Sequence, residues 1–251
     1  MNFIQQQFKS IRSIQFGIFV LWMFMGLTAD GQSSSLGSWN ILNIKYNYNK
    51  KWSAFAEGQI RSLKYYDDFH YYEYKGGFNY KLHPAAQVSL GLGSYQTFRE
   101  GGNFETPKNN DEFRLWPQLI FYQSIGKLKV EQRYRSEMRW TSNGYRNRFR
   151  YRLGFSLPLG KEVNGYQPFQ IAFSNELFFT DREPYFERNR LQTTLSYRMS
   201  KQSTFQVGYL HQFDYRINDE TGRDFFVMGF YFELFRKADQ APIQPGELKD
   251  N

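Results

Sequence analysis

Apolar and polar residues alternate with a period of two along most of the chain. Residues 145–159 read YRNRFRYRLGFSLPL, with aromatic and aliphatic side chains on one parity and four arginines on the other. Residues 127–140 (KLKVEQRYRSEMRW) follow the same rule. This is the period of a β-strand, because a helix with about 3.6 residues per turn would not sort these residues onto two opposite faces.

Eleven segments carry this pattern, and most are much longer than the usual globular strand of about 5–6 residues. Their length is typical of tilted membrane strands, which need about 9–11 residues to cross a bilayer. Since lipid offers no hydrogen-bonding partners, strands that face it must close on themselves. The sequence therefore predicts an all-β protein, a closed antiparallel transmembrane β-barrel of 10–12 strands. The predicted strands lie near residues 38–48, 51–64, 70–81, 86–98, 112–123, 127–140, 145–159, 167–179, 186–199, 203–216 and 224–235.

The connections are predicted to alternate between short turns and longer polar loops, as they do in outer-membrane barrels. Residues 66–69 and 141–144 are predicted as longer loops, and 161–165 as a short turn. Eleven strands leave the first strand starting on the long-loop side. We therefore expect that residues 32–38 thread the lumen, that an extra strand exists, or that residues 38–48 do not complete the wall.

Aromatic residues gather near both ends of the predicted strands. The set includes Tyr71 and Phe225 on the long-loop side and Tyr122 on the short-turn side. Phenol and indole rings prefer the interface between lipid and water. The sequence thus predicts two aromatic girdles with an apolar band between them.

The first residues have the features of an export signal. Lys9 and Arg12 precede the apolar stretch 14–27, and Ala29 and Gly31 occupy the small positions before a cut. We predict a signal peptide over 1–31, with a signal anchor as the alternative. The barrel then occupies 32–235, and 236–251 form a disordered polar tail.

Composition narrows the function classes. The 251 residues include no cysteine, 20% are aromatic, the formal net charge is +8 and the mean hydropathy is −0.67. These values exclude a helical membrane protein and a disordered chain, and the missing thiols exclude disulfides and Cys ligands or nucleophiles. A basic aromatic chain can also bind nucleic acid, but these arginines are spaced along strands instead of forming one patch, so we expect no nucleic-acid partner.

If the aromatic parity faces lipid, the charged parity faces the lumen. We interpret these residues in two ways: an internal Arg–Glu–Tyr network that fills the barrel, or an anion-selective lumen that recognises a small anionic solute through guanidinium groups. The candidate residues are Arg133, Arg135, Arg139, Arg146, Arg148, Arg150, Arg152, Arg188, Arg190, Arg198, Glu131, Glu137 and Glu176.

No catalytic residue is predicted. The histidines are His70, His83 and His211, and His211 is expected to face lipid. Some outer-membrane lipid hydrolases carry a Ser two residues after such a histidine, but Phe213 stands there in this chain. No metal-ligand spacing or nucleotide loop occurs, so we expect no metal and no cofactor.

The chain resembles a family of uncharacterised barrel proteins, domain of unknown function 2490, which is common in Bacteroidetes. The resemblance rests on Trp39, on KWSAFAEGQIR at 51–61 and on RNRFRYRLGFSLPL at 146–159, and it would cover about 36–235. It implies a location in the outer membrane of a Gram-negative cell and carries no activity.

The leading hypothesis is therefore a non-enzymatic outer-membrane barrel, structural or acting as a narrow anion-preferring pore. Its expected partners are outer-membrane lipid, lipopolysaccharide and the barrel-assembly machinery. The alternatives are a barrel enzyme that modifies lipid or lipopolysaccharide, which would cluster His, Ser and an acid on one face, and a soluble periplasmic lipocalin-like ligand carrier, whose apolar face would point inward.

Overall fold

A computed structural model describes residues 35–163, 165–215 and 221–236. The predicted signal peptide lies outside these residues, and so does the predicted tail except for Arg236. No helix in the described residues is long and apolar enough to cross a membrane. Eleven strands form the fold: β1 (Gly37–Asn47), β2 (Trp52–Lys64), β3 (Asp67–His83), β4 (Ala86–Thr97), β5 (Asn110–Ile125), β6 (Leu128–Thr141), β7 (Gly144–Leu159), β8 (Phe169–Thr180), β9 (Phe186–Arg198), β10 (Ser203–Asp214) and β11 (Thr221–Phe235).

The strands close into one barrel, so the predicted fold class and the range of 10–12 strands are confirmed. Each strand pairs antiparallel with its neighbours in sequence, and β1 pairs with β11. The closing pair is parallel and continuous from Gly37 opposite Phe225 to Asn47 opposite Phe235. Because β1 and β11 run in the same direction when the strand count is odd, their edges can only be joined in parallel.

This seam corrects the prediction about the first strand. Residues 38–48 do complete the wall, and no twelfth strand is needed to join β1 to β11. The two ends of the described barrel consequently lie at opposite rims. Ser35 hydrogen-bonds the carbonyl of Leu63 at what we call the N-terminal rim. The Arg236 amide donates to Asn47 at the C-terminal rim.

We predicted longer connections at one rim and shorter ones at the other, and three connections do not follow this prediction. At the N-terminal rim, β2 joins β3 through residues 65–66 and β6 joins β7 through 142–143, whereas 160–168 at the C-terminal rim is a longer connection. For residues 65–66 and 142–143, the error arose because polar residues at strand ends were assigned to loops. In the structure these residues continue the ladder beyond the apolar part of the wall.

The longest connection at the N-terminal rim, residues 98–109, is anchored to the start of β3. The Phe104 amide donates a hydrogen bond to the carbonyl of Phe69, and the Phe104 ring packs 5.2 Å from that of Phe98.

Elsewhere on this rim the Asn147 side chain donates a 2.8 Å hydrogen bond to Asp181, which lowers the pKa of that carboxyl.

The distribution of side chains is inverted relative to a soluble globular protein. Among the described residues, thirty-four large hydrophobic side chains are exposed and eleven are buried, whereas nineteen buried residues are polar or charged. On β7, for example, Phe149 is 50% exposed on the outer wall while Arg148 is buried in the interior. The lipocalin-like alternative requires the opposite orientation.

Aromatic pairs mark both ends of the outer wall. Trp52 and Tyr80 pack 4.7 Å apart at the C-terminal rim, and Trp140 and Tyr145 pack 5.4 Å apart at the N-terminal rim. Three predicted girdle residues lie inside the barrel instead, and the prediction for them is wrong. These residues are Tyr71, Tyr122 and Phe225, which line the internal cavity. Each has the parity of the charged residues on its strand, so a girdle assigned from closeness to a strand end alone misplaced them.

Candidate functional site: the charged lumen

The candidate site is the interior of the barrel, which contains a continuous cavity of about 1060 Å³. Eleven of the thirteen predicted residues line it. Arg146 does not, because it lies near the N-terminal rim where β7 begins at Gly144, and Glu137 is fully buried behind the lining. The eleven are Arg133, Arg135, Arg139, Arg148, Arg150, Arg152, Arg188, Arg190, Arg198, Glu131 and Glu176.

Glu137 is the centre of the first ion-pair cluster. Its carboxylate is fully buried on β6 and lies 2.5 Å from Arg148 Nη2 and 2.7 Å from Arg150 Nη1. Arg135 Nη1 lies 3.6 Å away. The β6–β7 register places Arg135 directly opposite Arg150. Such a like-charged pair is unfavourable by itself, and Glu137 offsets this repulsion.

Glu176 is the centre of a second cluster on the neighbouring side. Arg150 binds it as a fork, with Nε 3.0 Å from Oε1 and Nη2 2.9 Å from Oε2. Arg133 Nη2 lies 2.5 Å from the same Oε1. Arg150 therefore bridges Glu137 and Glu176 and joins β6, β7 and β8 inside the lumen. Bidentate arginine–carboxylate pairs of this kind are strong and directional.

Two further carboxylates extend the clusters toward the N-terminal rim. Glu112 on β5 accepts from Arg114 Nε at 2.7 Å and also contacts Arg139. Glu187 on β9 reaches Arg148 at 3.3 Å and Arg139 at 3.5 Å. The clusters on β5 and on β9 are thus linked across β6, β7 and β8.

A separate network on β2 and β3 was not predicted. Arg61 Nη2 lies 3.0 Å from Glu73, and Lys75 Nζ lies 2.5 Å from Glu73 and 2.6 Å from Glu57. The Tyr71 hydroxyl also donates to Glu73. Glu57 and Arg61 share one parity of β2, and Glu73 and Lys75 share one parity of β3, so the alternation rule that identified β6 and β7 would have found them.

Aromatic rings fill the spaces between the guanidinium groups. Trp116 is almost fully buried, and the absence of a side chain at Gly91 makes room for it, since a Cβ there would lie 2.5 Å from the indole ring. Phe178 is fully buried, and four guanidinium carbons lie 4.5–5.8 Å from its ring centroid. They belong to Arg148, Arg150, Arg188 and Arg190.

The cavity wall keeps a positive charge after pairing. Within the part of the chain that the structure describes, fifteen Lys and Arg residues line the cavity against nine Asp and Glu residues, an excess of six. Glu137, buried behind this lining against Arg148 and Arg150, reduces the excess to five. The lining runs from Glu100 and Arg223 at the N-terminal rim to Lys45 and Arg198 at the C-terminal rim. The lining as a whole therefore favours anions over cations, and low-dielectric walls strengthen this effect.

The outer wall carries one polar pair that bears on the enzyme alternative. His211 Nδ1 lies 2.7 Å from Asp224 Oδ1, and the Tyr209 hydroxyl donates to the same oxygen at 2.5 Å. Within the described ranges, His211 is hydrogen-bonded to Asp224 and not to a serine. In the same ranges no group of three or more His, Asp and Glu residues is placed to hold a metal ion.

Comparisons with known proteins identify the fold family. No curated protein matches the chain in sequence. Among solved structures, an anion-selective porin from Comamonas acidovorans is similar, with 11% sequence identity and a TM-score of 0.33. The match covers 71% of this chain, which spans 55% of the length of that porin. The family described as "Protein of unknown function (DUF2490)" matches residues 36–223. The chain belongs to this family.

Proposed function

We propose that the protein is an outer-membrane barrel whose lumen is a narrow, anion-preferring pore, and that it has no catalytic activity. The observation that carries the proposal is the excess of positive charge on the wall of a cavity that reaches both rims, six charges on the lining or five when the buried Glu137 is counted. The exposed apolar outer wall supports a membrane location, because a soluble protein rarely exposes such a surface.

The ion pairs support selectivity as well as stability. Arg148 and Arg150 are held by Glu137, and Arg150 is also held by Glu176. Side chains fixed in this way cannot turn toward a passing anion and close around it. The positive charge is therefore a stationary field along the path, which favours anions without holding them tightly.

Planar-bilayer recording in a KCl gradient tests this proposal. We expect a small conductance whose reversal potential has the sign of chloride preference, and the preference should decline as salt rises because ions screen the fixed charges. A conductance with cation preference would contradict the pore, and an absence of conductance would leave the barrel a structural role.

A pair of variants separates lumen charge from overall charge. Arg198→Glu reverses one charge on the cavity wall, whereas Lys51→Glu makes the same change in an exposed turn outside the cavity. Arg198→Glu should reduce the reversal potential, and Lys51→Glu should leave it close to that of the wild type. Equal effects would show that the lumen does not set the preference.

The proposal includes export by the N-terminal signal, insertion by the barrel-assembly machinery, and contact with lipid and lipopolysaccharide. Membrane fractionation combined with a gel assay of heat-modifiable mobility tests the location. A closed barrel should migrate differently before and after boiling and should be found in the outer-membrane fraction. Recovery of the mature chain as a detergent-free soluble monomer would refute it.

A further inference from the structure

Arg190 differs from the arginines around it in the middle of the lumen in its partners. Its Nε donates to Gln212 Oε1 at 2.8 Å. Within the described residues it makes no ion pair with a carboxylate. Its cross-strand neighbour is Glu176, but that carboxylate is held by Arg133 and Arg150 instead. The two terminal nitrogens of Arg190 are therefore left without an acidic partner.

Two aromatic rings hold the Arg190 guanidinium in the cavity. Its central carbon lies 4.9 Å from the ring centroid of Trp39 and 4.8 Å from that of Phe178. Trp39 is 5% exposed and Phe178 is fully buried, so both rings are fixed in place. Aromatic rings at these distances attract the positive charge but offer no oxygen acceptor, so they do not take the place of a carboxylate at the terminal N–H groups.

Other cations surround this position. The guanidinium carbon of Arg61 also lies over the Trp39 ring, 3.4 Å from its centroid. That of Arg188 lies over the Phe178 ring, 5.8 Å from its centroid. Each of these two has a carboxylate, Glu73 for Arg61 and Asp214 for Arg188. The group of three arginines thus has two acidic partners, and the unmatched charge belongs to Arg190.

We propose that Arg190 is the anion subsite of the lumen and that it binds a small oxyanion, a carboxylate or a phosphate, through its free N–H edge. Two parallel N–H groups match the spacing of two oxygens on one carbon or phosphorus atom. A spherical chloride ion cannot use both groups in this way. The inference rests on the proposed function, because it assigns a ligand class to the same lumen, but it can be tested without any current.

Calorimetric titration of the full-length protein in a non-ionic maltoside detergent tests the subsite, with inorganic phosphate, succinate and chloride in separate titrations. We expect saturable binding of phosphate, of succinate or of both, and much weaker binding of chloride. Arg190→Gln should weaken oxyanion binding by about ten- to a hundredfold, the effect of losing a charge-assisted hydrogen bond. Arg190→Lys should recover part of the affinity, because it restores the charge without the fork.

The matched control is Arg198→Gln, which also removes a cavity-lining cation that has no carboxylate partner among the described residues. It should lose much less oxyanion affinity than Arg190→Gln, because Arg198 lies at the C-terminal end of β9 and not between Trp39 and Phe178. Heat-modifiable mobility of each variant confirms the closed barrel. Wild-type affinity in Arg190→Gln, an equal loss in Arg198→Gln, or equal binding of chloride would each overturn the inference. The reversal-potential measurement is separate: oxyanion binding without anion-selective current would refute the pore and keep the subsite.

Discussion

Replacing Glu137 by glutamine tests whether the ion-pair clusters stabilise the barrel. The buried carboxylate accepts from Arg150 at 2.7 Å and from two nitrogens of Arg148 at 2.8 and 2.5 Å. Glutamine keeps the shape but removes the negative charge and turns an N–H group toward a guanidinium. Removing one partner of a buried ion pair costs about 3–5 kcal/mol because the remaining charge stays buried.

The control for this variant is Glu131→Gln. The Glu131 side chain is 30% exposed, and its ion pair within the described residues is with Arg152. Solvent screens a pair of this kind, so we expect a loss of about 0–1 kcal/mol. Urea unfolding of both variants in detergent micelles, followed by tryptophan fluorescence, gives the two free energies. Similar losses for Glu137→Gln and Glu131→Gln would refute the view that burial and shared partners make Glu137 a structural centre.

Three other predictions concern the wall. The chain has no native cysteine, and Leu42 and Phe230 are partners in the parallel seam. Cysteines introduced at these two positions should be joined by a short bifunctional thiol reagent, and failure to join them would contradict the register. Leu92 lies in the middle of β4 and faces outward. Leu92→Arg should lower the free energy of unfolding in lipid vesicles by about 2–4 kcal/mol, and Leu92→Ala should lower it by less. Equal losses for the two variants would argue against lipid contact. On intact cells, a membrane-impermeant maleimide should label only one of Ser35→Cys and Arg236→Cys, because these residues lie at opposite rims.

The strands and their faces could be predicted because the wall separates an apolar surface from a charged one. Every second residue of β6 and β7 must suit one of two very different environments, so the alternation in their sequence is strong. The predicted segment 127–140 corresponds to the observed strand β6 (Leu128–Thr141), and the predicted segment 145–159 corresponds to β7 (Gly144–Leu159). The cavity lining then followed from parity, and eleven of the thirteen predicted charged residues lie on it.

The seam and the ion-pair partners could not be predicted from the same pattern. Alternation gives the face of each residue but does not show whether the first predicted strand belongs to the wall, and the parallel seam follows only once all eleven strands are known to close the ring. Partner choice also depends on register. Arg190 lies opposite Glu176, yet Glu176 is bound from β6 and β7, because long arginine side chains reach beyond their direct neighbours.

In this lumen the arginines can all have hydrogen-bond acceptors without being neutralised, and this leaves the interior with a net positive charge. A carboxylate has about four acceptor positions and can serve two or three guanidinium groups at once. Glu137, Glu176 and Glu112 are each shared in this way. Sharing supplies the arginines with acceptors while each carboxylate cancels only one positive charge. A barrel filled by shared carboxylates is therefore well ordered and positively charged at the same time, and the groups that stabilise the interior also make it favour anions.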